Sequence, residues 1–212
     1  MMNTLITGFT PFDGREVNAS WIAARMLAED VGAHALEVPV RWSAPHSVLA
    51  PFCAEHHPDV IIAMGEGRQG WFDIETVARN IRQERPDNDG KLPQGEPISA
   101  DGPGRYAASI DAVSLRRTLA QSGLPVRISH DAGAFLCEEM LYTLETLRRH
   151  PDGPATVVFV HLPPWGTPLS QDMVCDLELL SGFTHALYEA VMALHQSQQD
   201  SVHLIRAGES RT

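Results

Sequence analysis

The stretch MGEGRQGWFDIETVARN, Met64–Asn80, decides which kind of α/β fold this chain adopts. Its first half holds GEGRQG, a literal G-x-G-x-x-G, directly behind the apolar run DVIIAM. In a dinucleotide-binding protein that fingerprint opens a helix, and the helix N-terminus holds the pyrophosphate. Here the continuation alternates instead. Phe72, Ile74, Thr76 and Ala78 fall on one side, and Asp73, Glu75, Val77 and Arg79 on the other. A period of two with β-branched residues describes a strand. Glu66, inside the loop, would also set a negative charge against a pyrophosphate. The stretch therefore reads as strand, loop and strand. Its loop becomes one wall of a small-substrate pocket leading to Glu75, lined by Gly65 and Glu66, with glycine allowing close backbone approach.

Working outward, short apolar runs recur at Thr4–Phe9, Ala35–Val40, Val60–Met64, Val126–Ser129 and Thr156–Val160. Helical patterns alternate with them: SWIAARMLAEDV, HSVLAPFCAEHH, RYAASIDAVSLRRTLAQSG with Gly123 as its C-cap, AFLCEEMLYTLETLRRH, and LSGFTHALYEAVMALHQ. Such alternation predicts a three-layer α/β/α sandwich around a mostly parallel, mixed sheet. In that architecture chemistry sits beyond the carboxyl ends of the strands. The segment Asp87–Gly104, rich in Pro, Gly and Asp, reads as a long loop of the binding or lid kind.

Bulk properties narrow the function. With 212 residues, 43% of them apolar, the chain can bury a core and is read as one domain over residues 1–212. Its formal net charge of −11 argues against nucleic acid and against anionic lipid as partners. The N-terminus lacks the basic and apolar regions of a signal peptide, and no run approaches a membrane span. Three widely spaced cysteines, Cys53, Cys137 and Cys175, fit no disulfide framework, so a reducing cytoplasm is expected. CAEHH places Cys53 near His56 and His57, but without a convincing partner set, and no metal or other cofactor is expected.

Three residues carry the parts of a cysteine hydrolase. Cys137, in SHDAGAFLCEE, falls at a helix start, where free N–H groups and the positive dipole end favour a thiolate. His161 ends an apolar strand and is followed by Pro163 and Pro164, which stiffen the chain. Glu75 lies on the strand after the glycine loop. Nucleophile, base and orienting carboxylate are thus present. Taken singly, a cysteine on an apolar helix is more often a small core residue; only the joint placement at strand ends points to chemistry.

Several motifs in order resemble the pyroglutamyl peptidase I (pyrrolidone-carboxylate peptidase) family of cysteine peptidases. TGFTPFDGREVNASW is similar to its N-terminal block, ETVARN to its glutamate motif, PDNDG and EPISADGPGRYAAS to its central loop, ISHDAGAFLC to its cysteine motif and FVHLPPW to its histidine block. The resemblance covers nearly the whole chain. It implies a phosphorylase/hydrolase-like fold and removal of N-terminal pyroglutamate from small peptides. It further implies Cys137 as nucleophile, His161 as base and acid, Glu75 as its orienting carboxylate, and Arg85 at the oxyanion. Phe9 and Phe12 match the aromatics around the pyroglutamyl ring, Asn18 matches a nearby pocket asparagine, and the implied assembly is a homo-oligomer, commonly a tetramer.

The chain departs from the pattern at four places. Glu66 stands where an amide is usual, Asp73 where a hydroxyl residue is common, Thr76 where a basic residue is usual, and Glu138 directly follows the nucleophile. A carboxylate aimed at the thiol would raise its pKa. Glu66 motivates a second reading, a cysteine hydrolase of another small amide. Thr76 and Glu138 motivate a third, a catalytically silent binding protein of the same fold.

Overall fold

The computed structural model describes residues 2–209, with side chains through Ser201. Its elements follow in chain order: β1 (Thr4–Phe9), α1 (Ala19–Val31), β2 (His34–Val38), α2 (Ala44–His56), β3 (Val60–Glu66), β4 (Phe72–Glu75), β5 (Val77–Arg79), β6 (Arg105–Ala107), α3 (Ala112–Ala120), β7 (Val126–Ser129), α4 (Leu136–Arg148), β8 (Thr156–Leu162), β9 (Pro168–Ser170), β10 (Met173–Val174) and α5 (Leu177–Glu209). Six strands form one mixed sheet in the order β2-β1-β3-β8-β4-β7. The first four are mutually parallel; β4 lies antiparallel to β8, and β7 lies parallel to β4.

Helices cover both faces, so the central strands β3 and β8 are buried along their full length and are mostly apolar. Strand alternation sorts the two cores. Ile62, Met64, Phe72, Ile74, Val158 and Val160 pack with Leu27, Leu115, Phe183 and Leu187 of α1, α3 and α5. Phe72 stacks on Phe183 at a centroid separation of 3.8 Å. Leu5, Ile61, Ala63, Val157 and Phe159 face the opposite way, onto Leu49, Met140 and Leu144 of α2 and α4. No helix among the described residues is long and apolar enough to cross a membrane.

The reversed pair of strands has a simple chain-length cause. Five residues, Gly67–Trp71, separate β3 from β4, whereas a parallel return needs about a dozen or more. β4 must therefore run back, and β8 fills the space between the two strands.

Several boundaries differ from the sequence reading. The alternation from Phe72 to Arg79 is broken at Thr76. Phe72 and Ile74 join one core, while Ala78 joins the other. At the break Thr76 donates from both N (2.9 Å) and Oγ1 (2.7 Å) to the Ser129 carbonyl, and β5 leaves the sheet to pair with β6. The expected helix from Arg105 begins only at Ala112, where Asp111 accepts from Ser114 N. Its earlier residues Arg105–Ala107 are taken by β6, and Gly123 sits beyond the helix end, in a turn with φ 76°. β3 and β8 each run two residues further than read, which puts Gly65, Glu66 and His161 inside strands. β7 runs opposite to β8, so Cys137 does not lie beyond a carboxyl edge shared with His161; residues 130–135 lead the chain from β7 into α4, which sets Cys137 over the sheet face.

Candidate active site

One row of residues crosses four strands on the α2/α4 face. Gly65 of β3 is opposite His161 of β8, His161 is opposite Asp73 of β4, and Asp73 is opposite Arg127 of β7. Glu75, two residues beyond Asp73, points from the same face. Across an antiparallel pair such a diagonal neighbour lies within reach of a long side chain. His161 Nδ1 donates to Glu75 Oε1 at 2.8 Å, with both residues buried. That contact fixes the tautomer and leaves Nε2 available on the side of Cys137, which lines the same groove.

Cys137 is the second residue of α4. Phe135 at its N-cap position supplies no side-chain cap, so the first N–H groups remain available near the thiol. Burial opposes a charged imidazole, but the Cys137 and Glu75 charges outweigh it and lift His161 to about 10. That leaves a positively charged imidazole beside the thiol. The other two cysteines offer nothing comparable. Burial pushes the Cys53 thiol up. Cys175 is pushed up to about 12 by burial, with Glu66 and Asp176 adding to it, and it donates to the Pro163 carbonyl.

The glycines of the opening loop clear space for this pair. A Cβ at Gly65 would stand 2.8 Å from Cys137 Sγ and 3.0 Å from Phe159 Cζ. A Cβ at Gly67 would stand 2.6 Å from His161 Cβ. Real Cβ atoms do not approach so closely, so neither position admits a side chain without displacing the thiol or the imidazole.

Beside the thiol, Phe9, Phe12, Val40, Phe135 and Leu136 line a small, mostly apolar hollow together with Asn18 and Glu66. On the other side of Cys137 a wider groove runs past Glu75, Asp73, Ser129 and Asp131, with Arg68 and Arg85 among its lining residues.

The two polar side chains of the small pocket are already engaged. Asn18 caps α1: its Oδ1 accepts from Ser20 N at 3.0 Å, and its Nδ2 donates to the Thr10 carbonyl. Glu66 points to the far side of β3 and accepts from Ala19 N at 2.7 Å, Trp165 N at 3.3 Å and Arg15 Nη1 at 2.5 Å. A carboxylate at a helix N-terminus is stabilised by the helix dipole. The acid therefore anchors α1 and Arg15 to β3. Arg85 gives both of its contacts from Nη2 to Asp13, at 2.9 and 2.6 Å, and lies over the Phe135 ring at 4.3 Å. It tethers the loop that carries Phe12 to the segment that carries Cys137.

Two arginines escaped the sequence reading. Glu138 accepts from Arg79 N (2.6 Å), Nε (2.9 Å) and Nη2 (2.7 Å), and Glu139 accepts from Arg82 Nε (3.1 Å) and Nη2 (2.8 Å). Burial pushes the Glu138 carboxyl up and Arg79 offsets part of that rise. Both acids are thus turned from the thiol toward the strand that follows Glu75. Thr76, the other atypical neighbour, is held by Ser129 and His130. Two adjacent acids at the start of a buried helix demand counter-charges, and the R-x-x-R spacing of Arg79 and Arg82 was the available signal. Cys53 is packed in the core, and among the described residues no group of three or more His, Cys, Asp or Glu is placed to hold a metal.

A family model described as pyroglutamyl peptidase matches residues 2–193. The pyrrolidone-carboxylate peptidase of Chromobacterium violaceum is 38% identical over 169 residues, covering 77% of this chain and 78% of that protein. The Staphylococcus aureus (strain Newman) protein of the same name is 30% identical over 213 residues, covering 96% and 97%. The crystal structure of Bacillus amyloliquefaciens pyroglutamyl peptidase I superposes with a TM-score of 0.79 at 30% identity, covering 92% of this chain and 98% of that one.

Two substitutions test the geometry. Gly65→Ala should leave the fold intact, because Sγ can swing away from the added methyl, while catalysis falls by about 100-fold through misplacement of the thiol. Steady-state rates and circular dichroism on one sample read both effects, and wild-type turnover would sink the clearance argument. Glu66→Gln should cost about 1–2 kcal/mol, through the helix N-terminus rather than the solvent-screened Arg15 contact. An unshifted urea midpoint would remove Glu66 from that anchoring role.

Proposed function

The chain belongs to the pyroglutamyl peptidase family, and from that premise we propose that Cys137, His161 and Glu75 release N-terminal pyroglutamate from small peptides. The observation that carries the reading is the hydrogen bond from His161 to Glu75 beside a thiol in the first turn of α4, with a small apolar pocket next to it. A pyroglutamyl residue is a cyclic, uncharged N-terminus, so its site needs apolar walls and no carboxylate to greet an ammonium group. Phe9 and Phe12 supply the walls. The carboxylate of Glu66 is spent on the α1 N-terminus and on Arg15, which suits a neutral substrate.

In this mechanism the Cys137 thiolate adds to the carbonyl carbon joining pyroglutamate to the next residue. The developing oxyanion is held by N–H groups at the start of α4, with Arg85 lending positive potential from the groove. The imidazolium of His161 gives its Nε2 proton to the departing amine as the C–N bond breaks and a thioester remains. His161, now neutral, takes a proton from water. The hydroxide adds to the thioester, and free pyroglutamate leaves with the thiolate restored. Glu75 keeps the ring in one tautomer and stabilises its charge. The rest of the peptide occupies the groove past Asp73 and Ser129. Gly65 and Glu66 contribute backbone to the pocket, and Asn18 shapes it through the α1 cap. The buried, Arg-paired position of Glu138 supports an active enzyme over a silent binding protein. Cytoplasmic residence and a dimer or tetramer complete the reading. Three free cysteines, one of them the nucleophile, suit a reducing compartment.

Release of a fluorogenic amine from a pyroglutamyl conjugate should be abolished by Cys137→Ala, and retention of activity would sink the scheme. The imidazolium is the acid for the leaving group, so kcat/KM should fall on an alkaline limb as pH rises through about 10. Glu75→Gln removes one charge that raises the histidine, so the limb should move to lower pH. A limb that stays in place would take Glu75 out of the triad.

A further inference from the structure

His161 meets two carboxylates on β4. The register sets Asp73 directly opposite it and Glu75 on the diagonal, and both acids are buried, at 4% and 1% exposure. Directly opposed side chains lie closer than diagonal ones, so position alone favours Asp73 as the acceptor for Nδ1–H. The hydrogen bond nevertheless goes to Glu75. Nothing else among the described residues holds Glu75 there, since its Oε2 has no partner. The choice must then be made on the Asp73 side.

Arg127 makes it. It stands opposite Asp73 on the outer strand β7 and takes both carboxylate oxygens, Nε on Oδ1 and Nη2 on Oδ2 at 3.0 Å. A guanidinium meeting a carboxylate edge-on is directional and hard to divert. The Trp71 ring, 5.3 Å away, steadies the arginine from another side. We propose that Arg127 is a positioning residue of this site: by claiming both oxygens of Asp73, it leaves Glu75 as the one carboxylate open to His161.

The groups facing His161 are few. Cys137 approaches from α4, Gly65 from β3, Gly67 from the turn after it, Asp73 and Glu75 from β4, and Arg127 lies behind Asp73. Arg68, Arg85 and Asp131 line the same groove. Without Arg127, Asp73 becomes a buried, unpaired carboxylate. It can recover a partner by drawing the imidazole off Glu75, which turns Nε2 away from the thiol.

The inference rests on His161 as the base of the proposed reaction. Its test uses the full chain and two readouts, kcat and KM on a pyroglutamyl arylamide and the pH profile of Cys137 alkylation by iodoacetamide. Arg127→Met should lower kcat roughly tenfold with KM changed by less than about twofold, and should flatten the alkylation profile. Adding Asp73→Ser should bring kcat and the profile back to within about threefold of wild type, because the competing acid is gone. A merely structural pair would change the urea midpoint without that rescue. Wild-type behaviour of the Arg127→Met protein, or a double variant that folds yet stays slow, overturns the proposal. If the single variant does not fold, the double variant decides: an active enzyme supports the proposal, and an inactive or unfolded one overturns it. Alkylation needs no peptide, so a wild-type protein with a fast, pH-dependent thiol but no pyroglutamyl hydrolysis would sink the substrate reading and leave this one standing.

Discussion

A single hydrogen bond, from His161 Nδ1 to Glu75 at 2.8 Å, lies across the one seam of the sheet where neighbouring strands run in opposite directions. Its position depends on that reversal. In antiparallel register Asp73 falls beside His161 and Glu75 one step along the same face. The short turn Gly67–Trp71 imposes the reversal, since five residues cannot carry β4 back parallel to β3. The same turn explains why a G-x-G-x-x-G sequence here has nothing to do with phosphate. Gly65 and Gly67 are small because a thiol and an imidazole occupy the space where their side chains would be.

Around that seam the chain uses charge to direct acids as much as to stabilise itself. With a net charge of −11 it has acids to spare, and five of them stand close to the site. Glu138 and Glu139 directly follow Cys137 yet are held outward by Arg79 and Arg82. Glu66 is drawn through β3 to the start of α1, Asp73 is taken by Arg127, and Glu75 alone is left to the imidazole. Unpaired buried carboxylates are costly. Each pairing therefore relieves a desolvation penalty and, in the same contact, keeps negative charge off the thiol.

Much of this was legible from sequence. The three-layer α/β arrangement follows from the alternation of strands and helices, and the strand after the glycine loop follows from the period of Phe72, Ile74, Asp73 and Glu75. What misled was continuity. The period from Phe72 to Arg79 looks unbroken, yet Thr76 turns the chain out of the sheet through two hydrogen bonds to Ser129, a residue 53 positions away. RYAAS scans as helix, yet its first three residues pair with β5. In both cases a distant backbone partner outweighed a local preference, as is common for short strands. Glu66 illustrates the same limit. Its strand position was readable, but strand alternation alone does not say which helix N-terminus waits on the side it faces.

The sequence by itself determined the residue types and the local forms: a cysteine at a helix start, a histidine ending an apolar strand, a glutamate on a strand behind a glycine loop, and two phenylalanines near the N-terminus. Only the tertiary structure decided that these meet, and which of several acids serves the histidine. Local periodicity fixes which face a side chain takes on its own strand. It carries no information on which strands become neighbours, in what direction or in what register. Those follow from chain lengths between elements and from the packing of two cores at once. They set His161 between Gly65 and Asp73, and Arg127 beyond Asp73.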